Sequence, residues 1–286
     1  MPASYQGLWG LRTTHGSLST EGLLALAPSF DTVGWLTRTA PLLRSVARAS
    51  FNSGAGLNTT AGFEKKYAIS DQVTARASDA VQDVFDSAIS TLIDSGTLSD
   101  LATVELPDID DLHEIFRTMQ SAEAWASHGE WIEAHPGALS PEVEARFRFG
   151  QSISADTIAY AQQALALARI RIESVLEDRV LLLPSASSIA PSTEADAATL
   201  ETLRQSTLRL TCIAGIAGRP ALSIPALSVP ALSIPALSIP ALSVPARGVS
   251  AAGVGRAPVG FGIVGPLGSD LALIDLGAAF AEELLG

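Results

Sequence analysis

Ser4, Ser17, His15 and Asp31 have the side-chain types of a hydrolytic relay. In such a relay a histidine takes the serine proton and a carboxylate orients the ring. No Gly-x-Ser-x-Gly elbow surrounds either serine, so no local sequence forces a hydroxyl onto a strained, exposed turn. Whether the four side chains meet is a tertiary question. His113-Glu114 and His128-x-Glu130 carry possible metal ligands, but neither has a cysteine partner or a second histidine at ligand spacing. We expect no metal there and ordinary helix-surface chemistry instead. The only lysines, Lys65 and Lys66, lie in Phe-Glu-Lys-Lys-Tyr, the composition of a solvated turn. The glycines of 260–268 are dense enough for a phosphate loop, yet no Lys-Ser/Thr follows them. Cys212 sits in an apolar run and reads as a small buried hydrophobe.

Composition narrows the classes further. The 286 residues can enclose one large core, and 47% of them are hydrophobic. A net charge of −12 argues against nucleic acid, whose phosphates need a basic surface. One cysteine excludes a disulfide framework and fits a reducing, cytoplasmic compartment. The start lacks the charged and apolar regions of a secretory signal. Between Arg219 and Arg247 no charge interrupts a mostly apolar run long enough to span a bilayer. Proline recurs there at every fifth residue, which defeats a spanning helix, so we expect no membrane partner.

The elements that must carry any site follow from periodicity. Glycines at 7, 10 and 16 in the first sixteen residues fit a chain packed closely on a neighbouring backbone, with no opening helix. A helix is expected over 37–49, and Asp31-Thr32-x-Gly34 has the makings of an Asx turn. Ser70 caps a helix whose apolar positions run from Val73 to Leu92, with Gly96 as its stop and a short strand at 101–106. Helices follow over 108–132, from Ser140-Pro141, over 155–177 and over 199–216, the last ended by Gly218. Arg179 to Pro184 reads as a buried strand of the kind found in parallel sheets. Ser269 and Asp270 open a final helix with Leu273, Ile274, Leu276, Phe280 and Leu284 inward. Alternating helices and strands give an α/β layered fold.

From Pro220 to Val244 the chain repeats Pro-Ala-Leu-Ser-(Ile/Val) five times and closes with Pro245-Ala246. A period of five is odd, so successive leucines would face opposite sides of a sheet, and proline bars full pairing of an interior strand. We therefore expect one copy to serve as a strand and the others to bulge or form coil. A β-solenoid is disfavoured because five units are few and no Asn or Asp precedes the central leucine.

Several segments together resemble the amidase signature family. Pro-Ala-Ser-Tyr-x-Gly-Leu-Trp-Gly-Leu-Arg-x-Thr-His-Gly, at 2–16, is similar to the family's stretch just after its nucleophile, with Gln6 replacing a cysteine and Thr13 a proline. Ser-Phe-Asp-Thr-Val-Gly-Trp at 29–35 and Ala-Pro-Val-Gly-Phe-Gly-Ile-Val-Gly-Pro-Leu-Gly-Ser-Asp at 257–270 continue the match. The wording, with His-Gly-Glu-Trp-Ile at 128–132, is similar to indole-3-acetamide hydrolase-type amidases. The family has one Pro-Ala-Leu-Ser-Ile-like unit where this chain has five, which suggests a tandem duplication.

The resemblance implies a mixed β-sheet flanked by helices, here incomplete, as a single partial domain over 1–286 with an expanded pentapeptide segment at 220–246. It implies hydrolysis of a small-molecule amide through an acyl-enzyme, with no cofactor. The Lys-Ser-Ser set belongs to motifs upstream of Pro2, and the nucleophile would lie three residues before Met1. Pro2, Ala3, Ser4, Tyr5, Gly7, Gly10, His15 and Gly16 would then form the post-nucleophile motif, His15 as a structural residue of its turn. Asp31, Thr32, Gly34 and Ser185 would border the pocket. Three readings stay open: an enzyme whose start lies further upstream, a catalytically dead remnant, or a non-catalytic module that binds a partner through exposed apolar surface. The sequence specifies neither the amide nor the oligomeric state.

Overall fold

The computed structural model describes residues 1–52, 64–230 and 256–286. A short helix, α1 (Pro2–Gln6), opens the chain and is followed by strands β1 (Trp9–Arg12) and β2 (Gly34–Thr37) and helix α2 (Ala40–Asn52). Next come β3 (Tyr67–Ile69), α3 (Asp71–Thr74), α4 (Asp79–Asp94) and β4 (Leu101–Thr103). Three helices, α5 (Ile109–Ala134), α6 (Pro141–Gln151) and α7 (Ala155–Leu176), lead to β5 (Val180–Pro184). Helix α8 (Ala197–Ala217), strands β6 (Ala221–Pro230) and β7 (Arg256–Val264), and α9 (Asp270–Leu285) complete the described chain.

The strands form one seven-stranded mixed sheet in the order β2-β1-β6-β7-β5-β3-β4. Pairing is parallel only between β3, β4 and β5; the other four junctions are antiparallel. Strand β5 is buried at all five positions, as its unbroken apolar run requires, but parallel β3 flanks one edge and antiparallel β7 the other. One sheet face packs on α2, α4 and α9 through Leu43, Phe85, Phe261, Ile263 and Phe280. The other packs on α5, α7 and α8 through Leu112, Phe116, Ile172, Leu181 and Ile213. The result is a three-layer α/β fold.

Four expectations change. The chain opens with a helix, because Pro2 presets the first turn and Gly7, at φ 60°, ends it after five residues. The helix expected from Ser70 to Gly96 is broken into α3 and α4. Val73 packs on one side of the sheet and Ala77 and Val81 on the other, which no straight helix achieves. Ser70, Ser140 and Ser269 occupy N-cap positions without a side-chain cap bond. The Ser269 hydroxyl instead donates to Pro266 O at 2.7 Å.

Two copies of the pentapeptide, not one, lie in β6. Leu222, Ile224, Leu227 and Val229 all join the same core, so the leucines do not alternate faces. Leu222 pairs with Ile263 and Leu227 with Val259, so five residues of β6 span four of β7. The extra residue is a β-bulge between Ile224 and Leu227 that restores the original face, and Pro225 falls inside it, where its missing N–H costs no ladder bond. The remaining copies and the glycine-rich turn after Arg247 lie outside the described residues.

Candidate active-site cavity

Alternation along the central strands leaves a strip without bulk on the face opposite Phe261 and Ile263. Gly10 of β1 pairs with Ser223 of β6, Ser223 with Gly262 of β7, and Gly262 with Leu183 of β5. In Leu222-Ser223-Ile224 the two apolar residues go to the core and the serine comes up between them. Gly260 and Gly262 do the same around Phe261. A side chain is excluded at both: a Cβ on Gly260 would collide with the Ser223 hydroxyl and lie 2.8 Å from the Ser185 hydroxyl. A Cβ on Gly262 would lie 2.7 Å from the Leu183 carbonyl. Over this strip lies a cavity of about 380 Å³, bounded by Met1–Ala3, the β2 residues Gly34–Leu36, and Leu210 and Ala214 of α8.

Helix α1 is held at its edge by the motif expected to follow the nucleophile. Ala3 and Ser4 are buried, and Ala3 packs so tightly on Gly10 that a Cβ there would sit 2.5 Å from its methyl. The Gly260 N–H donates to Ser4 Oγ at 2.8 Å, joining α1 to β7. The Tyr5 hydroxyl reaches Thr207 Oγ1 at 3.4 Å, which also bonds the Ser187 hydroxyl at 2.8 Å in the loop after β5. Gly7 and Gly16 take positive φ. The His15 N–H donates to Gly218 O, and its ring Nε2 contacts Pro28 O, both at 2.9 Å.

The turn after β1 is closed by a pair that sequence reasoning did not join. Thr14 donates its N–H to Asp270 Oδ1 at 2.8 Å and its hydroxyl to Oδ2 at 2.6 Å, while the Gly268 N–H donates to Thr14 Oγ1 at 3.0 Å. Burial pushes the Asp270 carboxyl up, against the pull of these Thr14 bonds. Asp270 thus serves the turn across 256 positions of sequence, as well as standing at the start of α9.

Within the cavity the polar groups are few. Thr32, Gly34 and Ser185 line it. Asp31 does not; it lines an adjoining cavity of about 330 Å³ with Phe30, Thr32 and Gln120. Its carboxylate accepts from the preceding Leu26 and Ala27 N–H groups at 2.8 and 2.9 Å, a backward cap rather than an Asx turn. The hydroxyls of Ser185 and Ser223 are buried without a partner among the described residues. Arg12 lines both cavities. Its Nη1 donates to Phe30 O at 2.9 Å, and burial lowers its pKa to about 10 despite the nearby Asp31 charge. Arg12, Ser223, Gly260 and Gly262 were not assigned from sequence. For Ser223, Gly260 and Gly262 the signal was the alternation of Leu-Ser-Ile and Gly-Phe-Gly, which marks one empty face; Arg12 carried no such signal.

The other chemical candidates fall away. Ser4, His15, Ser17 and Asp31 each have separate partners, and Ser17 donates to Thr14 O at 2.6 Å, so no relay forms. Lys66 pairs with Glu64 at 2.6 Å and Asp178 at 3.5 Å, and Lys65 is exposed. His113 is buried, its pKa lowered by desolvation and Arg209, while Arg117 engages Glu114 at 2.8 Å. No group of three metal-binding side chains occurs among the described residues. A larger depression of about 710 Å³, lined by α5, α6 and α8, carries the paired Arg146, Glu201 and Arg204 and lies away from the glycine strip.

Comparison with known proteins gives the family and the fold. The model of a family described as Amidase matches residues 1–274. "Amidase 1" of Arabidopsis thaliana is 25% identical over 253 residues, covering 78% of this chain and 59% of its own length. The chain thus spans less than two thirds of the curated relatives it matches. Among solved structures, one titled "Crystal structure of amidase" superposes over 99% of this chain and 60% of its own, with a TM-score of 0.77 and 22% identity. A serine-to-alanine variant of the allophanate hydrolase of Kluyveromyces lactis gives 0.78 at 20% identity, over 99% of this chain and 44% of its own.

Proposed function

This chain belongs to the amidase family, and from that premise we propose that its glycine-floored cavity is one half of an amide-hydrolysing site. The observation that carries the reading is the 380 Å³ space at the Met1–Ala3 edge, with the unpartnered Ser185 and Ser223 hydroxyls in its wall. In the full family pattern a lysine, acting through a bridging serine, removes the proton of a nucleophilic serine. The serine oxygen attacks the amide carbonyl, the amine leaves, and water releases the acyl group. The 286 residues supply the floor and acyl wall for that sequence, as a single partial domain with the pentapeptide segment at 220–246. No lysine is among the residues lining the cavity, and we read the 286-residue chain as unable to hydrolyse amides by itself.

The substrate class is a small carboxylic amide, and the protein acts in the cytoplasm. Among the described residues no helix is long and apolar enough to cross a membrane. A second reading, a non-catalytic module that binds a partner, is favoured by one observation. Leu23, Leu24 and Leu26 project from the loop before β2, with Leu24 87% exposed. Ammonia release from a panel of primary amides separates the two. The 286-residue chain is expected to release none. A chain extended upstream in its own reading frame, carrying Gly-Gly-Ser-(Val/Ile)-Arg, is expected to release it. Hydrolysis by the unextended chain would overturn the proposal, and silence of the extended one would leave the binding module.

A further inference from the structure

We propose that Arg12 is a carboxylate anchor, and that the cavity takes amides whose acyl chain ends in a carboxylate. The inference rests on reading the cavity as the amide site. It starts from which guanidinium atoms are occupied. Nη1 donates to the Phe30 carbonyl, whereas Nε and Nη2 are both buried and have no partner among the described residues. Those two nitrogens form the side-on fork of the group, the edge that meets both oxygens of a carboxylate at once. A buried cation with its fork unfilled is costly, and an oxyanion relieves that cost.

The surroundings favour an external anion over an internal one. Asp31 acts on Arg12 through space, but its carboxylate already accepts two backbone N–H groups and does not reach the fork. Arg12 stands in the wall between the two cavities. Because the fork nitrogens are buried, a ligand must displace part of that wall, which Thr32 and Thr211 also line, to reach them. Apart from Met1 and the Thr32, Thr211, Ser185 and Ser223 hydroxyls, the rest of the larger cavity is lined mainly by apolar groups, among them Trp35, Leu183 and Leu210. A ligand with a charged end at Arg12, a short apolar body and an amide towards Ser185 and Ser223 matches that distribution.

Calorimetric titration of the 286-residue chain with succinamate and with succinamide tests this, since the pair differs little except in charge. Succinamate is expected to bind about tenfold or more tightly than succinamide, and Arg12→Gln to abolish the preference. Arg12→Lys keeps a charge but loses the fork, so it should retain only part of the preference. That variant also decides the matter should Arg12→Gln fail to fold. Equal binding of the two probes, or a preference that survives unchanged in Arg12→Lys, overturns the anchor while leaving the cavity as an amide site. Binding of neither probe overturns the anchor too. Hydrolysis of neutral amides by the extended chain tests the site reading separately.

Discussion

Ser223 and Ser228 occupy the same place in adjacent repeat units, yet the structure treats them differently. The Ser228 hydroxyl accepts from Arg256 Nε at 2.7 Å, whereas Ser223 opens into the cavity without a partner among the described residues. Chemistry at this scale depends on what stands opposite, which for Ser223 is a row of glycines. Filling that row should therefore be felt at once. Gly262→Ala puts a methyl against the rigid Leu183 carbonyl and should cost about 1–3 kcal/mol in denaturant unfolding, with loss of succinamate binding. Cys212 gives a pH test. Burial pushes its thiol up from about 9 to about 12. Above pH 9 the unfolded chain releases this proton while the folded chain keeps it, so the thiol's contribution to stability falls by about 1.4 kcal/mol per pH unit. Relative to Cys212→Ala, the wild-type chain should lose stability between about pH 9 and 11. Iodoacetamide should not label Cys212 at about pH 8 until the chain unfolds; rapid labelling of the native chain would contradict its burial.

Elements hold the site through few, long-range ties. Thr14 and Asp270 clasp the turn after β1 to the start of α9, and Ser4 ties α1 to β7. Thr14→Val leaves Asp270 with a buried carboxylate and one hydroxyl fewer, and should cost about 1–3 kcal/mol by denaturant titration. The same variant should spare α5 to α7, whose amides should keep their hydrogen-exchange protection. Most of these elements were legible beforehand. The long apolar periodicities of α5, α7 and α8 and the Val180–Pro184 run announced themselves, and Gly218 ended α8 as a left-handed cap. Less legible were features decided by partners far along the chain. The break between α3 and α4 depends on which sheet face each side chain reaches, and the Ser78 N–H bonds Ser187 O at 2.8 Å. The α1 helix is five residues long, too short for a periodic signal. Thr32, Gly34 and Ser185, which line the cavity, could be named from motif position, whereas Arg12 emerged only when two of its nitrogens proved partnerless among the described residues.

At the scale of the molecule, a three-layer frame presents one empty strip, and the strand that supplies its middle is written in a repeating code. Removing Pro230 to Ile234, one Pro-Ala-Leu-Ser-Ile unit, leaves the same residue at every position of β6. Such a deletion should shift the melting temperature by no more than about 2 °C, roughly the shift expected for about 1 kcal/mol in a chain of this size. Deleting Leu222 to Pro225, four residues within β6, should unfold the chain, because leucine would then fall at position 223 and serine at position 224, each on the wrong face. The bulge at Pro225 thus gives β6 a form of copy-number tolerance. A gain or loss of whole units, as replication slippage within such a repeat would produce, should therefore leave the core-facing residue types of β6 in place.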